Sequence, residues 1–164
     1  MKSHAVVALA VVGVILLAAF PKALGGQGTD SQSPNQRDLA ARKTALLTET
    51  SDLEAMAKSL DGAEFSTAMS LDNKASQGVM ELDATYWFVD VYEHMQSEQD
   101  RAVAKAVLKY RLSFYSYLLG LEADQTAGYL AFAQLPATAQ AGARIKDDLR
   151  AAKAKLDEIA ASLN

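Results

Sequence analysis

Apolar residues recur at helical spacing in four stretches of this chain, with polar residues between them. In the first stretch the leucines follow one another every seven residues, at Leu39, Leu46, Leu53 and Leu60. A period of this kind places them along one face of an α-helix. The pattern predicts a first helix over 36–60, ended by the Asp61-Gly62 pair, which is typical of a turn.

The second stretch is rich in aromatic and β-branched residues over 85–92, which on their own are compatible with a β-strand. Its flanks prefer a helix, and its apolar positions have the three- and four-residue spacing of one helical face: Val79, Leu82, Tyr86 and Val89. A second helix is therefore predicted over 79–96. Residues 63–78 show little periodicity, and a connection with one short helix is predicted there.

A third helix is predicted after Ser97, because Ser97 and Asp100 have the spacing of an N-terminal capping box. Its predicted seam is Val103, Val107, Tyr110, Phe114, Tyr117 and Leu121. The same phase continues backward through polar residues into the second helix, so one long helix is an alternative. A hairpin that turns near Gln96 is favoured, because polar seam positions suit an exposed tip. In that hairpin, Asp83 is expected to form an ion pair with Arg111.

The fourth stretch has the most regular seam in the chain: Ile145, Leu149, Ala152, Leu156, Ile159 and Leu163. It follows a break at Pro136 and predicts a helix over 137–163. Four amphipathic helices without a predicted strand indicate an all-α fold. We predict an antiparallel four-helix bundle in up-down-up-down order over residues 36–164.

The first 25 residues have the pattern of a secretory signal peptide. Lys2 supplies positive charge, an uninterrupted apolar run extends over 5–20, and Ala23-Leu24-Gly25 offers small residues for cleavage. Residues 26–35 are small and polar, which predicts a flexible linker. The protein is therefore expected to be periplasmic or secreted. If the segment is not cleaved, it would instead anchor the protein in the inner membrane with the domain outside.

The 164-residue chain contains no cysteine, which excludes disulfides, thiolate metal sites and a lipidated N-terminal cysteine. Its formal net charge of −4 argues against a nucleic-acid partner, because binding to phosphates requires a basic surface. No cofactor is predicted. Membrane contact is expected only through an uncleaved N-terminal segment, and the sequence leaves the oligomeric state open.

Two residues of the second predicted helix are weak candidates for metal ligands. Asp90 and His94 are four positions apart and lie on one helical face. A catalytic zinc site normally has three protein ligands, whereas His94 is the only histidine after the N-terminal segment. There is also no Glu-x-x-His pair of the di-iron type and no nucleophile in an elbow motif. The sequence therefore predicts a protein that is not an enzyme, with a metalloprotein or enzyme as a third alternative.

The aromatic residues are concentrated in the second and third predicted helices, and a tyrosine hydroxyl needs a hydrogen-bond partner when it is buried. Such residues form either a solid core or a binding surface. The candidate ligand or interface residues are Tyr86, Tyr110, Arg111, Phe114 and Tyr117. The leading hypothesis is an exported, non-enzymatic bundle that acts by contact with an unknown envelope protein. The alternative is a bundle that binds or senses a small molecule in a tyrosine-lined pocket.

Overall fold

The computed structural model describes residues 32–163, and these form four α-helices and no β-strand. The helices are α1 (Pro34–Ala57), α2 (Gly62–Glu93), α3 (Glu98–Leu130) and α4 (Pro136–Ser162). The predicted all-α fold and its helical bundle are thereby confirmed. The predicted signal peptide lies outside the described residues, as does most of the predicted linker. None of the four helices is long and apolar enough to cross a membrane.

A capping box sets the start of α1. Ser33 Oγ accepts a hydrogen bond from the Gln36 backbone N–H at 3.2 Å, and Gln36 Oε1 accepts one from the Ser33 backbone N–H at 2.8 Å. Pro34 follows the cap, where its missing N–H costs nothing. The helix therefore begins before Gln36, and residues 34–35 belong to α1 and not to the predicted linker.

α2 is much longer than predicted, because residues 63–78 continue the helix and are not a connection. The weak periodicity of this segment reflects small residues on its buried face, such as Ala68 and Ala75. Gly78 allows the closest approach: a Cβ there would lie 2.5 Å from Leu149 Cδ2 and 3.0 Å from Leu46 Cδ1. Small residues pack well between helices, yet they contribute little to an apolar pattern.

The chain turns between α2 and α3 over residues 94–97, so these are two helices and not one continuous helix. Ser97 caps α3 by accepting a hydrogen bond from the Asp100 backbone N–H at 3.3 Å, as its spacing predicted. Arg101 donates to the Met95 backbone carbonyl at 2.5 Å, which closes the turn without a glycine or proline. The two helices then pack against each other.

A carboxylate from α2 supplies the cap that α4 lacks in its own sequence. The N-cap residue of α4 is Leu135, which has no side-chain acceptor. Glu64 accepts hydrogen bonds from the Gln134 and Leu135 backbone N–H groups at 2.8 and 3.2 Å. A hydrogen bond from Thr138 and these two backbone bonds hold the pKa of Glu64 below its usual value.

The core lies between all four helices, and α2 also contacts α4 across the middle of the bundle. In α1 the predicted leucines 39, 46 and 53 are buried, as expected. In α4 every residue of the predicted seam is buried: Ile145, Leu149, Ala152, Leu156, Ile159 and Leu163. The amphipathic pattern therefore identified the inward faces of these two helices correctly.

The predicted seam of α3 is wrong. The inward face of α3 is formed by Leu108, Leu112, Leu119 and Ala123, whereas five of the six predicted residues are exposed. This helix has two apolar faces, and its aromatic residues made the outward one look like the core. The leucine face instead packs into the bundle, together with the buried polar residues Ser116, Glu122 and Thr126.

Candidate interaction surface

The outward face of α3 carries a continuous row of apolar side chains, here called the α3 stripe. It consists of Val103, Val107, Tyr110, Phe114, Tyr117 and Leu121, separated alternately by four and three residues. The exposed fractions are 54% for Val103, 67% for Tyr110, 41% for Phe114, 67% for Tyr117 and 38% for Leu121. Val107 is half-buried. This alternation is the a/d repeat by which one helix packs along another.

No charged side chain interrupts the α3 stripe. The exposed residues over 102–121 are Ala102, Val103, Ala106, Tyr110, Ser113, Phe114, Tyr117 and Leu121. Charged residues with high exposure lie only beyond the two ends, at Asp100 and Arg101 and at Asp124. Charged residues are typically depleted from the centre of a protein interface, and the α3 stripe has the same composition.

The α3 stripe lies between the two helices that flank α3. On one side the Arg111 guanidinium stands 5.2 Å above the ring of Phe88 in α2, a cation–π contact. On the other side Ser116 donates a hydrogen bond to Asp157 of α4 at 2.5 Å. The neighbouring helices thus hold both flanks of α3, and the face between them points to solvent.

The structure separates the five residues predicted as ligand or interface candidates into two groups. Tyr110, Phe114 and Tyr117 lie together on the α3 stripe. Tyr86 is half-buried on α2 and packs against the core, and Arg111 contacts Phe88. A binding role for these residues stays a prediction.

The expected ion pair between Asp83 and Arg111 is wrong. Asp83 instead lies 2.5 Å from Lys43 of α1. Because α2 packs against both α1 and α3, a flanking position on α2 can face either neighbour. Asp83 faces α1, and this leaves Arg111 to stack on Phe88.

A buried polar cluster between α2 and α3 was not anticipated from the sequence. Lys74 Nζ lies 2.8 Å from Glu122 Oε2, and both side chains are nearly buried. Lys74 also donates to Gln77 at 2.9 Å. The pKa of nearby Glu81 is raised to about 7, chiefly by burial and also by the charge of Glu122, while the charge of Lys74 opposes the rise. This carboxyl can therefore exchange a proton near neutral pH. The sequence does contain a sign of this cluster: Lys74 and Glu81 are seven residues apart, which places them on one face of a helix.

The weak metal candidates form a local polar pair at the end of α2. His94 Nδ1 lies 3.2 Å from Asp90 Oδ1, and Asp90 Oδ1 accepts a hydrogen bond from Gln36 of α1 at 2.6 Å. Among residues 32–163, no three His, Cys, Asp or Glu side chains are grouped closely enough to hold a metal ion. The geometry gives Asp90 a structural role in joining α1 to α2.

An open groove of about 500 Å³ lies far along the bundle from these residues. It is lined by Phe65, Ser66, Met69, Ser70, Asn73, Lys74 and Tyr129. None of the tyrosines predicted to line a pocket contributes to it.

No protein-family model, curated protein or solved structure matches this chain. The functional proposal rests on the geometry of the α3 stripe.

Proposed function

We propose that this protein is a non-enzymatic helical bundle that acts by protein–protein contact, and that the α3 stripe is its contact surface. The observation that carries the proposal is the exposure of Tyr110, Phe114 and Tyr117 along one uncharged helix face. A surface helix of a bundle normally presents polar residues to solvent. A row of exposed aromatic residues indicates a surface that a partner covers.

The size of the α3 stripe supports this proposal. Its exposed apolar area is roughly 500 Å², given about 150–250 Å² for a whole aromatic side chain. Patches of this size, in the range of about 300–600 Å², are the largest found on typical monomers and are often functional. The a/d spacing favours a helical partner, because knobs on one helix then fit between side chains of the other.

The helix order that we propose is up-down-up-down. Its support comes from side-chain pairs between consecutive helices. Gln36 bonds to Asp90 and Lys43 to Asp83 between α1 and α2. Lys74 meets Glu122 between α2 and α3, and Ser116 meets Asp157 between α3 and α4. The connections between the helices are also short, at residues 58–61, 94–97 and 131–135, and short connections are typical of antiparallel neighbours in bundles.

We also propose that the bundle is exported and acts in the periplasm or outside the cell, on an envelope partner. The support is the charged start, apolar run and small residues within 1–25. Contact with the membrane would then depend on whether this segment is retained. Detection of a mature protein that begins near Gly26 by mass spectrometry would support cleavage, and a chain that still contains residues 5–20 would establish an anchor.

Photo-crosslinking in the producing cell tests the contact surface. A photoreactive phenylalanine in place of Tyr117 should give a discrete adduct on irradiation. The matched control is the same residue in place of Asp147, whose side chain is 72% exposed on the charged outer face of α4. Absence of an adduct at position 117, or identical adducts at both positions, would refute a specific contact at the α3 stripe.

A further inference from the structure

Building on the proposed function, we infer that the partner of the α3 stripe is a second copy of this chain, packed antiparallel across a two-fold axis at the level of Leu112. In this arrangement Tyr110 of one copy faces Phe114 of the other.

The α3 stripe is symmetric about the level of Leu112. Its six residues form three pairs whose numbers add up to 224: Val103 with Leu121, Val107 with Tyr117, and Tyr110 with Phe114. A two-fold axis across α3 brings the two members of each pair to the same level, one from each copy. A two-fold interface must be complementary to itself, and here every apolar residue meets another and none is left over.

The side chains of the α3 stripe match in size when two copies are antiparallel. In the antiparallel register the smaller Val107 lies opposite the larger Tyr117, and the centre holds Tyr110 and Phe114 from both copies. Aromatic rings at the centre of an interface are where binding energy typically concentrates. A parallel pair would place valine against valine and tyrosine against tyrosine, which gives layers of uneven thickness.

Small residues flank the α3 stripe on one side. On its α4 side the flanking positions are Ala106, Ser113 and Gly120, repeated every seven residues. Small residues at such positions let two helices approach closely. No charged residue of α3 occupies this flank. At Gly120 the aliphatic part of the Lys153 side chain of α4 lies against it, and because Lys153 is paired with Asp157 at 2.6 Å, close approach would not bury an unpaired charge.

The charges at the ends of the α3 stripe also favour antiparallel packing. In a parallel pair the acidic first turns of α3, with Glu98 and Asp100, would lie together and repel each other. In the antiparallel pair Glu98 comes level with Thr126 and Asp100 with Asp124. Asp124 is itself acidic, but it lies 3.7 Å from Arg150 of α4, so a cation is close by. Antiparallel helices also oppose their dipoles favourably.

The expected affinity of the dimer follows from the surface area that the two copies of the α3 stripe would bury. Two stripes would bury roughly 1,000 Å² in total, which is near the lower limit for a specific interface. We therefore expect a reversible dimer with a dissociation constant on the order of micromolar, so that dilution separates the copies.

Sedimentation of the protein, purified as its host produces it, tests self-association. The unchanged protein should shift from monomer to dimer as its concentration rises through the micromolar range. Tyr110→Lys and Tyr117→Lys should each weaken the dimer at least tenfold, because each would bury a charge. The matched control is Phe132→Lys, since Phe132 is equally exposed, at 67%, but lies outside the α3 stripe. Equal weakening by the control, or a protein that is monomeric at every concentration, would overturn the inference.

Distances between spin labels test the direction of packing. The chain has no cysteine, so a single introduced cysteine carries the only label. Labels at Ser113→Cys should be close to each other. Labels at Ala102→Cys should be about 30 Å apart along the axis, since each lies ten residues from Leu112 at about 1.5 Å per residue. Short distances at both sites would mean a parallel pair and would overturn the antiparallel register.

The two proposals fail separately. If the protein stays monomeric while the photoreactive residue at position 117 captures a different protein, the self-association is refuted and the contact surface stands. If no adduct forms and the protein is monomeric, both are refuted. An adduct with twice the mass of the chain, together with the label distances above, supports both.

Discussion

α3 and α4 are neighbouring helices of similar length that meet solvent in opposite ways. The outer face of α4 carries Arg144, Asp147, Arg150, Asp157 and Glu158, whereas the outer face of α3 carries the apolar α3 stripe. A helix needs only one apolar face to join a bundle. α4 has one and α3 has two, so the second face of α3 is not explained by folding.

The inner face of α3, like α4 at Thr138 and Lys155, also contains buried polar residues. Ser116, Glu122 and Thr126 are buried there, and each has a partner: Ser116 bonds to Asp157, Glu122 meets Lys74, and the Thr126 hydroxyl donates to the Glu122 carbonyl at 2.8 Å. The buried side of α3 thus combines leucines with polar contacts, while its solvent side is aromatic. This partly inverted polarity separates the residues needed for folding from those available for contact.

The inward and outward faces of α3 should differ most in their contribution to the free energy of unfolding. Leu112→Ala removes a fully buried side chain and should lower the free energy of unfolding by about 2–5 kcal/mol. Tyr110→Ala, only two residues away but 67% exposed, should change it by less than about 0.5 kcal/mol. Urea unfolding of both variants at a concentration where the protein is monomeric provides the measurement. A cost for Tyr110→Ala as large as that for Leu112→Ala would mean that the α3 stripe belongs to the core.

The polar side of the inner face should make stability depend on pH. The pKa of Glu81 is raised from 4.5 to about 7 by burial, with the Glu122 charge adding to the effect and Lys74 opposing it. The folded protein therefore holds this proton more tightly than the unfolded chain. The stabilisation is fully present below pH 4.5 and is lost as the pH rises through about 7.

Glu81→Gln should remove this dependence, because glutamine stays neutral at every pH. At pH 8 we expect the variant to be more stable than the unchanged protein by about 1–3 kcal/mol, allowing for screening by solvent, and the difference should vanish near pH 4. Unfolding curves across this range give the difference directly, and the control is Glu98→Gln, since Glu98 is an exposed residue of α3. A difference that does not vary with pH would show that Glu81 titrates normally.

The contrast between the two helices also explains what the sequence could predict. The seam of α4 was identified correctly because its large apolar residues form one face and, apart from the buried Lys155, its charged residues lie outside that face. In α3, Tyr110 and Tyr117 outweighed Leu112 and Leu119 in the apolar pattern, and the wrong face was chosen. Hydrophobic spacing reports that a face is apolar, but it does not report whether that face meets this chain or another one.

Other misses have a related physical cause. The early part of α2 was not recognised as a helix because alanine and glycine form much of its inner face. Gly78 packs closely against Leu149 and Leu46 because it has no side chain. The partner of Asp83 was wrong because a helix in a bundle has two neighbours. The turn at Ser97 was predicted because capping depends on local spacing, which the sequence displays directly.

Two serines of α3, one facing the core and one facing solvent, should also differ in their contribution to the free energy of unfolding, but by less than Leu112 and Tyr110 do. Ser116 faces inward and donates to Asp157 at 2.5 Å, whereas Ser113 lies one turn earlier and faces solvent. Ser116→Ala should cost about 1 kcal/mol, because Asp157 loses a donor but keeps its bond from Lys153 at 2.6 Å. Ser113→Ala should cost nothing within about 0.5 kcal/mol. Equal losses in thermal unfolding would contradict the orientation of α3.

The smallest effect is expected at the ion pair that replaced the predicted one. Lys43 and Asp83 are 35% and 54% exposed, so their attraction is screened by water and should contribute only about 0.2–1 kcal/mol. A double-mutant cycle with Lys43→Gln and Asp83→Asn isolates this coupling. It should decrease as salt is added, since exposed charges are screened at high ionic strength.

The same cycle with Asp83→Asn and Arg111→Gln should give no coupling, because Arg111 stacks on Phe88 and Asp83 points to α1. Coupling between Asp83 and Arg111 that exceeds coupling between Asp83 and Lys43 would restore the predicted pair. It would also mean that α2 is rotated about its axis, which would turn Phe88 away from Arg111 and change the flank beside which the α3 stripe lies.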